Sequence, residues 1–259
     1  MNIALDDVKK TLKLAPAALF LTWSDTKARY RRSMLGPFWL VLGTGIGVAG
    51  LGFLWSALLK MDRETFIPSL TVGLIVWQLI AGCVTESSGV FVRNSMVVRN
   101  LKIPFLFFPL QLVLRQTINF GHNLVVILVV LLIFPPPLSA VQLLLIPGFV
   151  LLIGNLLWLT MIVGMVGARF RDIEPLIGAF MPMLFFLSPV IYRPDHLGIH
   201  AQIAWLNPFS YFISLIRDPI QGVMPPMFVY GVATAMLIAG WLFTLQFLGR
   251  KYGRVPFWV

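Results

Sequence analysis

The chain has 259 residues, 58% of them hydrophobic and only 12% charged, with a formal net charge of +10. Soluble domains of this length carry about a quarter charged residues. The composition therefore excludes a soluble fold, and with it the reading of the basic excess as a nucleic-acid footprint. The length admits one all-α membrane domain of several spans and leaves no room for a separate soluble domain. A single cysteine, Cys83, lies inside an apolar run, so no intrachain disulfide and no cysteine-based metal site is expected.

Residues 1–13 mix Asp6, Asp7, Lys9, Lys10 and Lys13 ahead of any apolar stretch. That is unlike a cleavable signal peptide, so the first span is expected to be retained. Residues 14–35 read as an amphipathic interface helix: an apolar half runs into Lys27, Arg29, Arg31 and Arg32, with Trp23 and Tyr30 interleaved. Such a helix suits the headgroup layer. Gripping a partner or an anionic lipid is an equally open use of the same basic end.

A hydrocarbon core about 30 Å thick needs roughly 20 helical residues, and the first span is expected at 37–59. Its Gly45-Ile46-Gly47-Val48-Ala49-Gly50 matches G-x-G-x-x-G, but no strand precedes it, so a nucleotide site is not expected. Gly43 and Gly47, four apart, predict a close approach by another helix. The second span is expected at 68–92, with Glu86 late in it. Arg93 nearby favours a snorkelling or ion-paired end position for Glu86 over a proton site in mid-membrane. Residues 93–109 are basic, then aromatic, and read as an interfacial turn.

The third span, 110–134, carries Arg115, Asn119 and His122 on one stripe, with Gln116 and Asn123 beside them. A polar stripe should face protein or water and not lipid. Two uses stand open: lining a conduit, or hydrogen bonding between helices. Pro135-Pro136-Pro137 ends that helix, and a fourth span is expected at 142–166.

Ala168-Arg169-Phe170-Arg171-Asp172-Ile173-Glu174-Pro175 then places four charges between two uncharged apolar segments. This is a membrane hairpin with its turn in water, and Pro175 suits the first turn of the next helix. The mixed charge at Arg169, Arg171, Asp172 and Glu174 reads as a docking surface, against the plainer reading of a solvated turn. A fifth span is expected at 176–192 and a sixth at 228–248. Between them, residues 193–226 are too apolar for a free loop and too interrupted to span, which predicts short helices dipping partway into the bilayer. His196 and His200 are four apart, yet only Asp195 accompanies them, so no metal site is expected.

Fifteen Lys and Arg fall in the two termini, the second loop and the charged turn, against four on the other side. The positive-inside rule then places both termini and the charged turn in the cytoplasm. No G-x-x-x-x-G-K-[ST] occurs. If ATP drives this protein, a partner must bind it.

Three segments carry a family likeness: Arg29-Tyr30-Arg31-Arg32-Ser33-Met34-Leu35-Gly36-Pro37-Phe38-Trp39; Phe170-Arg171-Asp172-Ile173 with Ser188-Pro189-Val190-Ile191-Tyr192; and Asn207-Pro208 with Arg217 and Gly222. Together they resemble the membrane subunit of bacterial ABC-2 type polysaccharide exporters, which move lipid-linked O-antigen, capsule or teichoic acid chains. The resemblance implies an interface segment at 1–36 and a six-helix transmembrane domain at 37–259, in a bacterial inner membrane. It implies two copies of this chain with two ATPase subunits that hold ATP and Mg. By the same likeness, Lys27, Arg29, Arg31 and Arg32 and the turn at Arg169, Arg171, Asp172 and Glu174 would meet the ATPase. Trp39, Trp77, Phe185, Tyr192, Trp205 and Tyr211 are the aromatic candidates for stacking on sugar rings. A drug or small-lipid exporter of the same superfamily is the alternative. A proton-coupled carrier using Glu86, Arg115 and His122 would call for an inverted repeat, and a membrane glycosyltransferase for an acidic metal-binding loop. Neither is visible in the sequence.

Overall fold

The long apolar stretches fold as helices because hydrocarbon offers a backbone N–H no partner except its own chain's carbonyls. The structure, a computed structural model, describes residues 2–31, 33–58, 60–193 and 201–259. His196, His200 and Arg32 lie outside the described residues. Two N-terminal helices, α1 (Asn2–Lys13) and α2 (Ala15–Tyr30), precede α3 (Phe38–Leu58) and α4 (Arg63–Ser87). Two short helices, α5 (Val90–Arg93) and α6 (Ser95–Asn100), lead to α7 (Phe107–Ile133). A 3-10 turn (Ala140–Leu144) opens α8 (Leu145–Arg169), followed by α9 (Ile173–Leu187). The short α10 (Ala201–Trp205) and α11 (Pro208–Ile220) come before α12 (Met227–Lys251) and a closing 3-10 segment (Tyr252–Phe257).

Local chemistry sets several of these boundaries. Asp62 caps α4, its Oδ2 accepting from the Thr65 amide at 3.2 Å, so this helix starts five residues before the expected Pro68. It also stops at Ser87, short of the expected 92, where Ser87 and Ser88 turn their hydroxyls back onto the carbonyls of Val84 and Thr85. Ser188 is extended ahead of Pro189, which ends α9 at Leu187. At the other end of α9, Pro175 sits in the first turn, as expected.

Among the described residues, five helices are long and apolar enough to cross a membrane: α3, α4, α7, α8 and α12. Six were expected. The difference is α9, whose 15 residues reach only about 22 Å at 1.5 Å per residue. The expected fifth span counted 188–192 as helix, whereas those residues form the extended turn that Pro189 imposes. The expected short helices before the last span are present as α10 and α11.

The helix α4 is the axis of the bundle, with 78% of its apolar window buried against 17% for α3. It packs against α3, α7, α8, α9 and α11. From Phe209 to Pro219, α11 is buried apart from Tyr211, making it an inserted plug and not a surface helix. The glycine-rich face of α3 is left open within this chain. A Cβ added at Gly43 or Gly47 meets nothing within 4 Å, so no helix of this chain approaches them.

Contacts sort the loops into two ends. At one end Asp7 of α1 accepts from the amides of Phe105 (2.9 Å) and Leu106 (3.0 Å) and from the Tyr252 hydroxyl (3.0 Å). One carboxylate thus ties the N-terminus, the start of α7 and the C-terminal segment together. The groups counted as basic-rich in the sequence share this end. At the other end Gly222 lies against Pro137, and Arg217 against the turn after α9.

Asp7 is 1% exposed, and burial raises its carboxyl above the ordinary 3.8, although three donated hydrogen bonds pull the other way. The folded chain therefore keeps a proton at pH values where the unfolded chain has lost it. Its contribution to stability is fully present below 3.8 and is lost as pH rises from there through the raised folded-state value. Asp7→Ala strips the partners from two buried amides, at about 1–3 kcal/mol each. We expect α1 to come loose, read as faster hydrogen exchange at residues 2–13 and 105–108. Unchanged exchange would show that α1 is held by packing alone.

Candidate coupling end and conduit face

Phe170 leaves the helical register at the end of α8, so Arg169, Phe170, Arg171, Asp172 and Glu174 all stand exposed in the short turn before α9. What holds this turn in place is a backbone contact just behind it. A Cβ at Gly167 would lie 2.1 Å from the Ser88 carbonyl oxygen, so α8 touches the end of α4 directly. The helix α5 packs on α8 near this contact, and α6, which follows it, exposes Met96 (79%), with Leu101 (56% exposed) just past its end, among Arg93, Arg99 and Lys102. The sequence reading passed over Met96 and Leu101 because residues 93–109 read as one interfacial turn. Two apolar residues inside a basic hexapeptide-scale run were the available signal.

The basic residues of α2 lie elsewhere. This helix packs on α7, not on α8 or α9. Lys27, Arg29 and Arg31 are exposed, and Lys27 and Arg31 line a cavity of about 650 Å³ closed by His122 of α7. The two groups of residues that the likeness assigns to one partner are thus carried by separate helices.

The polar stripe on α7 bonds it to α4. Glu86 accepts from Arg115 and, at 2.6 Å, from Gln116, while Asn119 donates to Gln116 at 3.1 Å. One turn further, Asn123 donates to Gln78 at 2.9 Å. Arg93 donates to the Glu86 backbone carbonyl, so the ion partner of Glu86 is Arg115 and not the Arg93 expected from sequence. Arg115 faces Glu86 across the α4–α7 contact, at a sequence separation that no local spacing rule reaches. His122 points away from this ladder and meets the Tyr30 ring edge-on at 6.1 Å.

The aromatic candidates fall into three groups. Trp77 is buried on α4, edge-to-face with Phe185 of α9 at 5.8 Å and with Phe209 of α11 at 5.9 Å. Trp205 and Tyr211 pack together at 5.3 Å, and the Tyr211 hydroxyl donates to the Trp205 carbonyl. Tyr192 donates to the Leu187 carbonyl, at the end of α9. Trp39, on α3, is 59% exposed.

Between α3 and α9 runs a shallow trough floored by α4. On one side Trp39, Gly43, Thr44 and Gly47 border Gln78; on the other Gly178, Met181 and Phe185 border Trp77 and Thr85. Gln78 and Thr85 are exposed although most of α4 around them is buried. Thr44 and Gln78 hydrogen-bond across the α3 side at 3.3 Å, and α9 is exposed around nearly its whole girth.

Comparison with known proteins bears on the whole of this arrangement. The model of the ABC-2 type transporter family matches residues 17–220. An O-antigen export system permease protein RfbA of Klebsiella pneumoniae is 25% identical over 206 residues, covering 76% of this chain and 77% of the relative. A second of that name from the same organism is 22% identical over 228 residues, covering 87% and 86%. One from Myxococcus xanthus is 24% identical over 228 residues, covering 85% and 87%. A match that runs unbroken from α2 to the last residue of α11, on a bundle of five membrane-crossing helices, shows that this chain belongs to the ABC-2 type transporter membrane family.

Proposed function

We propose that this chain is the transmembrane subunit of an ATP-driven exporter of a lipid-linked polysaccharide, of the O-antigen or capsule kind, in a bacterial inner membrane. Its family works with an ABC ATPase partner. The observation that carries the reading is the trough between α3 and α9. It exposes amide and hydroxyl groups at Gln78 and Thr85 beside Trp39 and Phe185, on an otherwise buried helix. An aromatic-edged, largely apolar wall that exposes these few amide and hydroxyl groups and is open on one side is half of a conduit, and a second copy of this chain supplies the other half. Aromatic faces and amides make many weak contacts with sugar rings and no tight trap, which suits a sliding chain.

The polysaccharide assignment rests on the relatives, whose names specify O-antigen export, and on this wall. In this proposal the polar ladder on Arg115 and Asn119 holds α7 to α4 and stays outside the conduit.

Both termini and the charged turn face the cytoplasm, where the ATPase presses on the turn at 169–174 and on the Met96 surface. ATP and Mg are held by that partner. The α9 helix, followed by the Pro189 turn and the α10–α11 plug, completes a sixth crossing. Replacing both Asp172 and Glu174 by Lys reverses the acidic half of the turn while leaving every buried contact in place. Co-purification of the ATPase should fall at least tenfold, with membrane insertion unchanged. Retained co-purification would remove the turn from the contact. Deleting the gene should leave lipid-linked glycan inside the cell, and a normal surface coat would contradict export.

A further inference from the structure

We propose that the cleft between α2 and α7, continued by the groove between α3 and α7, is a binding site for one anionic phospholipid of the surrounding leaflet. The upper part is the cavity of about 650 Å³ that holds Lys27, Arg31 and His122 with Trp23 and Tyr30. Among the described residues no carboxylate lines it, so its polar groups match one sign of ligand charge. The buried Nδ1 of His122 has no hydrogen-bond partner among the described residues. Trp23 is 57% exposed, and a tryptophan beside basic side chains belongs at the headgroup level.

The lower part is a groove of about 520 Å³ between α3 and α7, lined entirely by apolar side chains and glycine. The two parts meet at both walls: Pro37 borders the cavity and Phe38 the groove, while His122 borders the cavity and Val125, one turn on, the groove. Gly45 opens the groove, since a Cβ there would meet nothing within 4 Å. A phosphate therefore sits against Lys27 and Arg31, and an acyl chain lies along Gly45, Ala49 and Val129 on the surface that faces the hydrocarbon. Charge complementarity above and continuity with the membrane-facing surface below select a phosphate-headed lipid over a peptide or a soluble anion.

This site lies on the α7 side of α3, away from the trough toward α9, and it stands whether or not a polysaccharide is the cargo. Native mass spectrometry of the full-length chain, delipidated and then titrated with phosphatidylglycerol, phosphatidylcholine or a polyprenyl monophosphate, tests it. Phosphatidylglycerol should bind at one saturable site, at least tenfold more tightly than phosphatidylcholine. Lys27→Gln with Arg31→Gln should weaken it about tenfold. Lys9→Gln with Lys13→Gln removes the same charge from α1 and should leave it unchanged. Gly45→Phe, which fills the groove without touching the charges, should weaken it also. Equal binding of phosphatidylcholine, or equal loss in the Lys9 and Lys13 variant, would overturn the site. Tighter binding of the polyprenyl phosphate with the same variant sensitivity would overturn the bilayer-lipid assignment in favour of a cargo lipid.

Discussion

Replacing Arg217 by Met is expected to destabilise the protein by about 1–3 kcal/mol for each buried partner it strips, because it takes the nearer of two cations from the Asp218 carboxylate, leaving Arg193 at 3.7 Å, and removes the donor from two backbone carbonyls. Arg217 is 1% exposed. Its Nε donates to Asp218 at 3.1 Å, and its Nη1 donates to the carbonyls of Pro189 at 2.6 Å and Tyr192 at 3.2 Å. The guanidinium is thus the peg on which the turn after α9 hangs. Asn207 adds a second tie to that turn, donating to Ser188 at 2.8 Å while its own oxygen caps α11. Lysine at 217 keeps the charge but lacks the planar fork that reaches an acid and two carbonyls at once, so Arg217→Lys should recover only part of the loss. Arg217→Met combined with Asp218→Asn should cost less than the sum of the two single changes, since the Arg217–Asp218 pair is then lost only once. Denaturant titration of the purified chain reads all three. A single Met variant as stable as the parent would show that the turn holds itself.

Gly167→Leu should produce the second large effect. Its Cβ falls 2.1 Å from a backbone oxygen, and a backbone atom has no rotamer by which to give way. Overpacking of this kind costs about 1–3 kcal/mol and sometimes more. Here α8 must also move off the end of α4. Because the exposed turn begins two residues later, the displacement should carry the turn away from the Met96 surface and lower ATPase co-purification. Gly43→Leu is the comparison, since a Cβ there meets nothing in this chain. It should leave the stability of the single chain unchanged and weaken self-association. If Gly43→Leu cost as much stability as Gly167→Leu, the close contact of Gly167 with Ser88 would not be the cause.

Much of this was legible along the chain. Periodless apolar runs of membrane-crossing length, the proline breaks at 135–137 and the charge cluster after residue 168 placed the helices to within a few residues. Exposure of Arg169, Arg171, Asp172 and Glu174 followed from charge beside hydrocarbon alone. Expectations failed where a contact joins residues far apart in sequence. The partner of Glu86 is 29 residues away, so the nearer Arg93 looked the better match.

The linear chain, then, determined the medium, the helices and which loops are basic, because burying backbone polar groups in lipid admits few solutions and charge beside hydrocarbon must face water. Only the tertiary structure decided which helix is central, that Asp7 joins both termini to α7, that Arg217 holds the turn after α9, and that Lys27 and Arg31 share a cavity with His122. Those facts depend on the angles and spacings at which helices pack, which are set by close contacts such as Gly167 against Ser88. A one-dimensional pattern carries no record of such contacts.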